Sequence, residues 1–272
     1  QMAREGMIMS NFYAPRSVCS PSRAAMFTGR DPTRYGLTDN VFRVVPGSYA
    51  RSGLPPNETT FANYLKDVGY STGYSGKWHL GLGNDTDPFA STPMNLGFDD
   101  TFFFLEGSNG ETCPHGNLNP AGDNNIYHAC NFDHIQNCDV DKHECVVVEQ
   151  PIRWENVTAR HVDASLDYIN RHANDTEPWM LVHSFTQVHT PWVPSRFGVT
   201  DPTAKIWADV VGEVDWAVGV FLQRLKDLDI DENTLVILSS DNGPYMESAS
   251  TYCPANCNLQ APDDDTMSEI DV

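Results

Sequence analysis

Three stretches of helical period alternate with three short apolar runs, and this alternation constrains the fold more than any other feature of the chain. Phe61, Leu65 and Val68 recur at helical spacing and stop at Gly69, a residue suited to the left-handed position after a helix. Val162, Leu166, Ile169 and Ala173 mark a second helix, and Val210, Val214, Ala217, Phe221, Leu225 and Leu228 mark a third, longer one. After each helix comes a buried-strand candidate: Tyr70 to Tyr74, Trp179 to Phe185, and Thr234 to Ser239. The pattern predicts an α/β fold with a largely parallel sheet flanked by helices. In such a fold the chemistry belongs at the carboxyl ends of the strands.

Composition excludes two classes. The chain carries 17 Lys and Arg against 37 Asp and Glu, a formal charge of −20. That balance argues against a nucleic-acid binder, which needs a basic stripe. The longest uninterrupted aliphatic or aromatic runs, such as Phe102 to Leu105 and Trp179 to Val182, reach only four residues, so no membrane span is expected. The charge is uneven: residues 1–51 hold seven Arg, no Lys and three acids. A cationic region on an acidic protein suits an anionic substrate, although ordinary fluctuation along a chain gives the same pattern.

Arg4-Glu5-Gly6-Met7-Ile8-Met9 reads as a helix end running into a strand. The chain opens at Gln1 without an initiator Met or leader and finishes in Asp263-Asp264-Asp265 and a polar tail. It therefore reads as a fragment or processed chain, truncated at both ends.

Seven cysteines are present, at 19, 113, 130, 138, 145, 253 and 257. Cys113, Cys130, Cys138 and Cys145 fall in an aperiodic stretch rich in Asn, Asp, His and Gly, which needs covalent staples if it is ordered. Four N-x-T sequons, at Asn57, Asn84, Asn156 and Asn174, join the clustered cysteines in pointing to N-glycosylation and the secretory pathway. A zinc site is the alternative, because His134 and His143 are interleaved with Cys130, Cys138 and Cys145; no paired C-x2-C knuckle accompanies them. If six cysteines pair, one is left over.

Four polar clusters lie at or near strand ends. Cys19-Ser20-Pro21-Ser22-Arg23 runs into Thr28-Gly29-Arg30, with Pro21 suited to a first helical turn. Cys19 thus sits near a helix N-terminus, where the dipole favours anions and Arg23 adds a fixed charge. The second cluster is Gly69-Tyr70-Ser71-Thr72-Gly73-Tyr74-Ser75-Gly76-Lys77-Trp78-His79-Leu80-Gly81, in which Lys77 and His79 can face one anion. His189-Thr190-Pro191 follows the strand at 179–185, and Asp241-Asn242-Gly243-Pro244 follows the run at 234–238. An Asp carboxylate and an Asn amide oxygen suit a hard cation. His183, inside its strand, reads as a core histidine.

The first two clusters resemble the two signatures of the type I sulfatases, C-x-P-S-R with T-G-R behind it and G-Y-x-T-x-x-x-G-K-W-H-L-G. The similarity runs from about Met7 to Gly243 and is nearest to the arylsulfatase A-like group. The resemblance implies an alkaline-phosphatase-like catalytic domain over residues 1–244, a cysteine-rich insertion at 106–150, and a divergent acidic tail at 245–272. It implies that Cys19 is oxidised to Cα-formylglycine by a formylglycine-generating enzyme that reads Pro21 and Arg23. One hydroxyl of the hydrated aldehyde would attack sulfur and displace the alcohol or phenol. The other would lose its proton and expel sulfate, regenerating the aldehyde. Calcium, held by Asp241, Asn242 and the modified Cys19, would polarise the sulfate. Lys77 and His189 would hold sulfate and assist the leaving oxygen, Arg23 and His79 would steady the hydrate, and Ser108 would lie near metal and sulfate. The resemblance also suggests two disulfides among Cys113, Cys130, Cys138 and Cys145, in any of three connectivities, with Cys253 and Cys257 as a further pair.

The departures are specific. Family members carry an Asp-Asp strand ahead of the formylglycine helix and a second active-site lysine after D-N-G-P; here no aspartate precedes Cys19 and no lysine follows Lys226. The expected activity is hydrolysis of sulfate esters borne by a small molecule, lipid or glycan. A phosphodiester or phosphonate hydrolase of the same fold, or a non-catalytic secreted glycoprotein that binds sulfated glycans, remain the alternatives.

Overall fold

The computed structural model describes residues 1–37, 53–81, 90–104, 134–139, 144–149, 154–189 and 206–243. In chain order these form α1 (Met2–Glu5), α2 (Cys19–Thr28), a 3-10 turn (Pro32–Tyr35), α3 (Phe61–Asp67), β1 (Ser71–Lys77), β2 (Asp100–Phe104), β3 (His134–Asp139), β4 (Glu144–Glu149), α4 (Trp154–His172), β5 (Trp179–Ser184) and α5 (Ile206–Asp227). The sheet runs β4-β3-β2-β1-β5. β1 is parallel to both β2 and β5, while β3 and β4 add an antiparallel hairpin beyond β2. The predicted parallel α/β sheet is present, with this hairpin as an addition.

Alternation along β1 sends its side chains to two helical layers. Ser75 donates to the His161 carbonyl of α4, and a side chain at Gly73 would collide with Tyr168 of the same helix. Tyr74 points the other way, into an aromatic cluster with Phe27 of α2, Phe61 of α3, Trp78 and Phe98. Phe27 stacks on Phe61 at 5.2 Å, and Tyr74 meets Trp78 and Phe98 edge-on at 5.1 Å each. Offset and edge-on ring pairs of this kind are the favoured arrangements. The cluster locks α2 onto the carboxyl half of β1, and α2 carries Cys19.

The helix boundaries follow local chemistry. Thr60 caps α3 through a reciprocal box with Asn63, and Gly69 closes the turn at φ 91°. α4 begins eight residues before the first periodic position, Val162; its early turns bury Val157, Thr158 and His161, a mixed apolar and polar set that the apolar pattern alone did not mark.

Two sequence expectations do not hold. Thr234 to Ser239 has no regular secondary structure and joins no ladder among the described residues, with Leu235 84% and Ile237 68% exposed. Met7 to Met9, read as a strand after α1, is likewise exposed and unpaired. An apolar run has strand character locally, yet a strand exists only where a neighbour accepts its backbone groups. Conversely, β2 and the β3–β4 hairpin were not foreseen. β3 and β4 lie inside the cysteine-rich segment read at 106–150, which has no periodic pattern to announce them.

Candidate active site

Cys19 is the first residue of α2, with Val18 in extended conformation as its N-cap. The helix start is pinned from both sides. Ser20 donates to the His79 carbonyl at 2.7 Å, and Ser22 donates to the Asp241 carbonyl. These bonds bring α2, the end of β1 and the 241–243 segment to one point.

Arg23 organises that point. Its Nε donates to Asp241 Oδ2 at 2.9 Å, and its Nη1 donates to the Lys77 carbonyl at 2.8 Å and to Ser184 Oγ at 2.7 Å. Ser184 can reach Arg23 because β1 and β5 approach closely at Gly76, where a Cβ would lie 1.9 Å from the Ser184 oxygen. Gly76 also has φ 110°, so only glycine fits there. Tyr74 donates its hydroxyl to the same Lys77 carbonyl.

Lys77 is 3% exposed, and its Nζ donates to Cys19 Sγ at 3.3 Å. Burial, and then Arg23, press its pKa below the ordinary lysine value, opposed by Cys19 and Asp241. Burial alone would raise the Asp241 carboxyl, but Arg23, Lys77 and His189 hold it below the usual range. Burial likewise disfavours the Arg23 charge, yet Asp241 keeps its pKa above the ordinary value. His79 is buried with φ 56°, a left-handed conformation that is uncommon for a non-glycine residue and recurs at functional sites.

Cys19, Arg23, Lys77, His79 and Asp241 are therefore assembled. His189 stands exposed at the rim, close enough for its charge to act on Asp241. Asn242, the residue after Asp241, has a buried Oδ1 with no hydrogen-bond partner among the described residues. An unpartnered amide oxygen following a carboxylate residue has the hard oxygen-donor chemistry that a cation such as calcium takes. Among the described residues no group of three or more His, Cys, Asp or Glu is gathered. His183 packs on Phe185 and Phe221 with its Nδ1 hydrogen-bonded to Ser165, while its buried Nε2 has no partner among the described residues, so the expected core histidine is only half satisfied; burial lowers its pKa to about 3.

Other expected positions divide. Ser108, Asn84, Cys113, Cys130, Cys253 and Cys257 lie outside the described residues, as does His143. Cys138 and Cys145 fall on the adjacent strands β3 and β4. Asn57, Asn156 and Asn174 are exposed. Two of the N-terminal arginines are matched on the surface, Arg16 by Asp31 and Arg30 by Glu58, so part of the cationic excess is locally neutralised. Sequence reasoning missed the structural parts played by Ser184 and Tyr74, since a serine ending one strand and a tyrosine inside another carry no signal of a shared arginine.

A family model described as Sulfatase matches residues 1–268. The chain belongs to the sulfatase family. It is 32% identical over 255 residues to an arylsulfatase of Hemicentrotus pulcherrimus, covering 93% of this chain and 43% of that protein. It is 29% identical to human steryl-sulfatase over 307 residues, covering 92% of this chain and 51% of that one. The chain thus spans about half the length of the curated relatives it matches. Among solved structures, PsFucS1 sulfatase from Pseudoalteromonas sp. aligns with TM-score 0.60 and 26% identity, over 84% of this chain and 46% of that one. Ps i-CgsB in complex with k-i-k-neocarrahexaose aligns with TM-score 0.62 and 25% identity, over 86% and 50% respectively. The sulfatase fold expected from the two signatures is therefore present. No described helix is long and apolar enough to cross a membrane.

Proposed function

We propose that the protein to which this chain belongs hydrolyses sulfate esters, with position 19 as the nucleophile. One observation carries the reading: Cys19 Sγ lies 3.3 Å from a buried lysine ammonium, at the start of α2 and beside the Arg23–Asp241 pair. A buried ammonium with three donors holds an oxyanion and strengthens as charge develops on it. Once Cys19 is oxidised to Cα-formylglycine, its hydrated aldehyde supplies an oxygen nucleophile that a thiol cannot.

The remaining roles fall to this chain's own side chains. Lys77 binds a sulfate oxygen, and His189, at the exposed rim, passes a proton to the leaving alcohol oxygen. Arg23 keeps Asp241 ionised and ties α2 to the ends of β1 and β5. Asp241 and Asn242 would hold calcium, which when bound polarises the sulfate oxygens. The substrate is a sulfated small molecule, lipid or glycan. The three exposed sequons support passage through the secretory pathway, where the formylglycine-generating enzyme would act on Cys19.

The intact protein, expressed through a eukaryotic secretory pathway, should carry an aldehyde in place of the Cys19 thiol by mass spectrometry. It should turn over a chromogenic aryl sulfate faster than the matching phosphate ester, and Cys19→Ser should abolish turnover while leaving the fold intact. A fully thiol-reactive Cys19 in active enzyme would overturn the formylglycine reading. Faster phosphate cleavage would favour a phosphoester hydrolase of the same fold.

A further inference from the structure

Behind the rim that carries His189 lies a polar triangle that none of the roles above employs. Glu213 of α5 is 1% exposed, and its Oε2 accepts from Thr158 Oγ1 of α4 at 2.6 Å and from Gln187 Nε2 at 3.1 Å. Gln187 Nε2 also donates to Thr158 Oγ1, closing the triangle. A carboxyl group at this depth is costly to bury unless hydrogen bonds satisfy it.

The geometry matters because of where Gln187 stands. The β1–β5 ladder ends with Gly76 opposite Ser184, so beyond Ser184 the sheet no longer fixes the backbone. Gln187 comes three residues later and His189 two after that. Gln187 is held at both ends of its amide: Thr186 Oγ1 donates to its Oε1 at 2.9 Å, while its Nε2 is taken by Glu213 and Thr158. The His189 backbone N–H in turn donates to the Thr186 carbonyl at 3.1 Å. The segment carrying His189 is thereby fastened to α4 and α5 through one side chain.

We propose that Glu213 is a positioning residue for His189, acting through Gln187. It touches neither substrate nor reacting atoms. It fixes the strand-end segment so that the imidazole meets the leaving oxygen in one orientation. The inference rests on the role assigned to His189 above. A purely structural tie between α4 and α5 would instead affect stability alone.

The test uses the intact protein with Glu213→Gln, Gln187→Leu and the exchanged pair Glu213→Gln/Gln187→Glu. Each single variant should lower kcat about tenfold to a hundredfold with KM within about twofold, since small misplacement of a catalytic group has effects of this order. The exchanged pair restores one carboxylate and one amide, and should recover most of the lost kcat. Gln187→Leu, at the partly exposed end, decides the matter if Glu213→Gln misfolds. Folded variants with lower Tm and unchanged kcat would overturn the proposal, as would an exchanged pair that regains stability without kcat. A second readout needs no turnover. In protein labelled with 15N-histidine, the His189 ring signals, assigned with His189→Asn, should shift or split in Gln187→Leu. Unchanged His189 signals there would overturn the inference. Absence of any sulfatase activity would count against the proposed function and leave this readout to decide the positioning role.

Discussion

In the proposed reaction Lys77 gives up stability in exchange for anion binding. Because burial and Arg23 hold its pKa below 10.5, the unfolded chain binds more protons than the folded one between the two values. Its contribution to stability therefore rises with pH through that window and is least favourable below it. Lys77→Met should leave Tm at pH 7 unchanged or raised, while kcat/KM falls by about a hundredfold or more. Calorimetry and aryl sulfate kinetics on the same samples check both halves. Asp241 has the opposite sign. Burial raises its carboxyl pKa, but Arg23 and then Lys77 lower it further, so it stabilises the fold above pH 3.8 and that stabilisation is lost as pH falls through the folded-state value. Asp241→Asn should cost about 3 kcal/mol at pH 7, since it strands a buried guanidinium. Urea denaturation should show the gap narrowing as pH falls below 3.8.

At the scale of elements, the site depends on how α2 is seated on β1. Phe27 is the hinge of that seating, fully buried among Phe61, Tyr74, Trp78 and Phe98. Phe27→Ala should lower stability by about 3–5 kcal/mol, measured by denaturant unfolding. The loss of activity should exceed the unfolded fraction at working temperature, because a loosened α2 separates position 19 from Lys77. Helices such as α3 and α5 were readable from periodicity, although Val68, the last position of the α3 stripe, proves to be its C-cap and is 70% exposed. β2 was not, since Asp100 to Phe104 presents a polar pair followed by an aromatic run with no alternation. The run at 234–239 misled for the converse reason: its side chains suit a strand, but pairing is a property of two segments.

On the scale of the whole molecule, a formal charge of −20 surrounds the site proposed to hold a sulfate. At ~0.01 M salt the screening length is ~30 Å and the net charge repels a polyanion, whereas at ~0.1 M it is ~10 Å and only the local Lys77 and His189 field remains. KM for a polysulfated glycan should therefore fall as salt rises over that range, while a monosulfated aryl ester changes little; steady-state kinetics at several salt concentrations distinguishes the two. The chain by itself determined the proposed catalytic set: Cys19, Arg23, Lys77, His79, His189 and Asp241 stand in two contiguous signatures and two short motifs, legible without any tertiary contact. It also determined the parallel pairing of β1 with β5, since α4 lies between them in the chain and carries it back across the sheet. Only the tertiary structure decided the partners: Arg23 on Ser184, Ser22 on the Asp241 carbonyl, and Glu213 on Gln187 join residues 161, 219 and 26 positions apart. Hydrogen bonds across such separations leave no periodicity in the chain, because they exist only once packing has closed the distance.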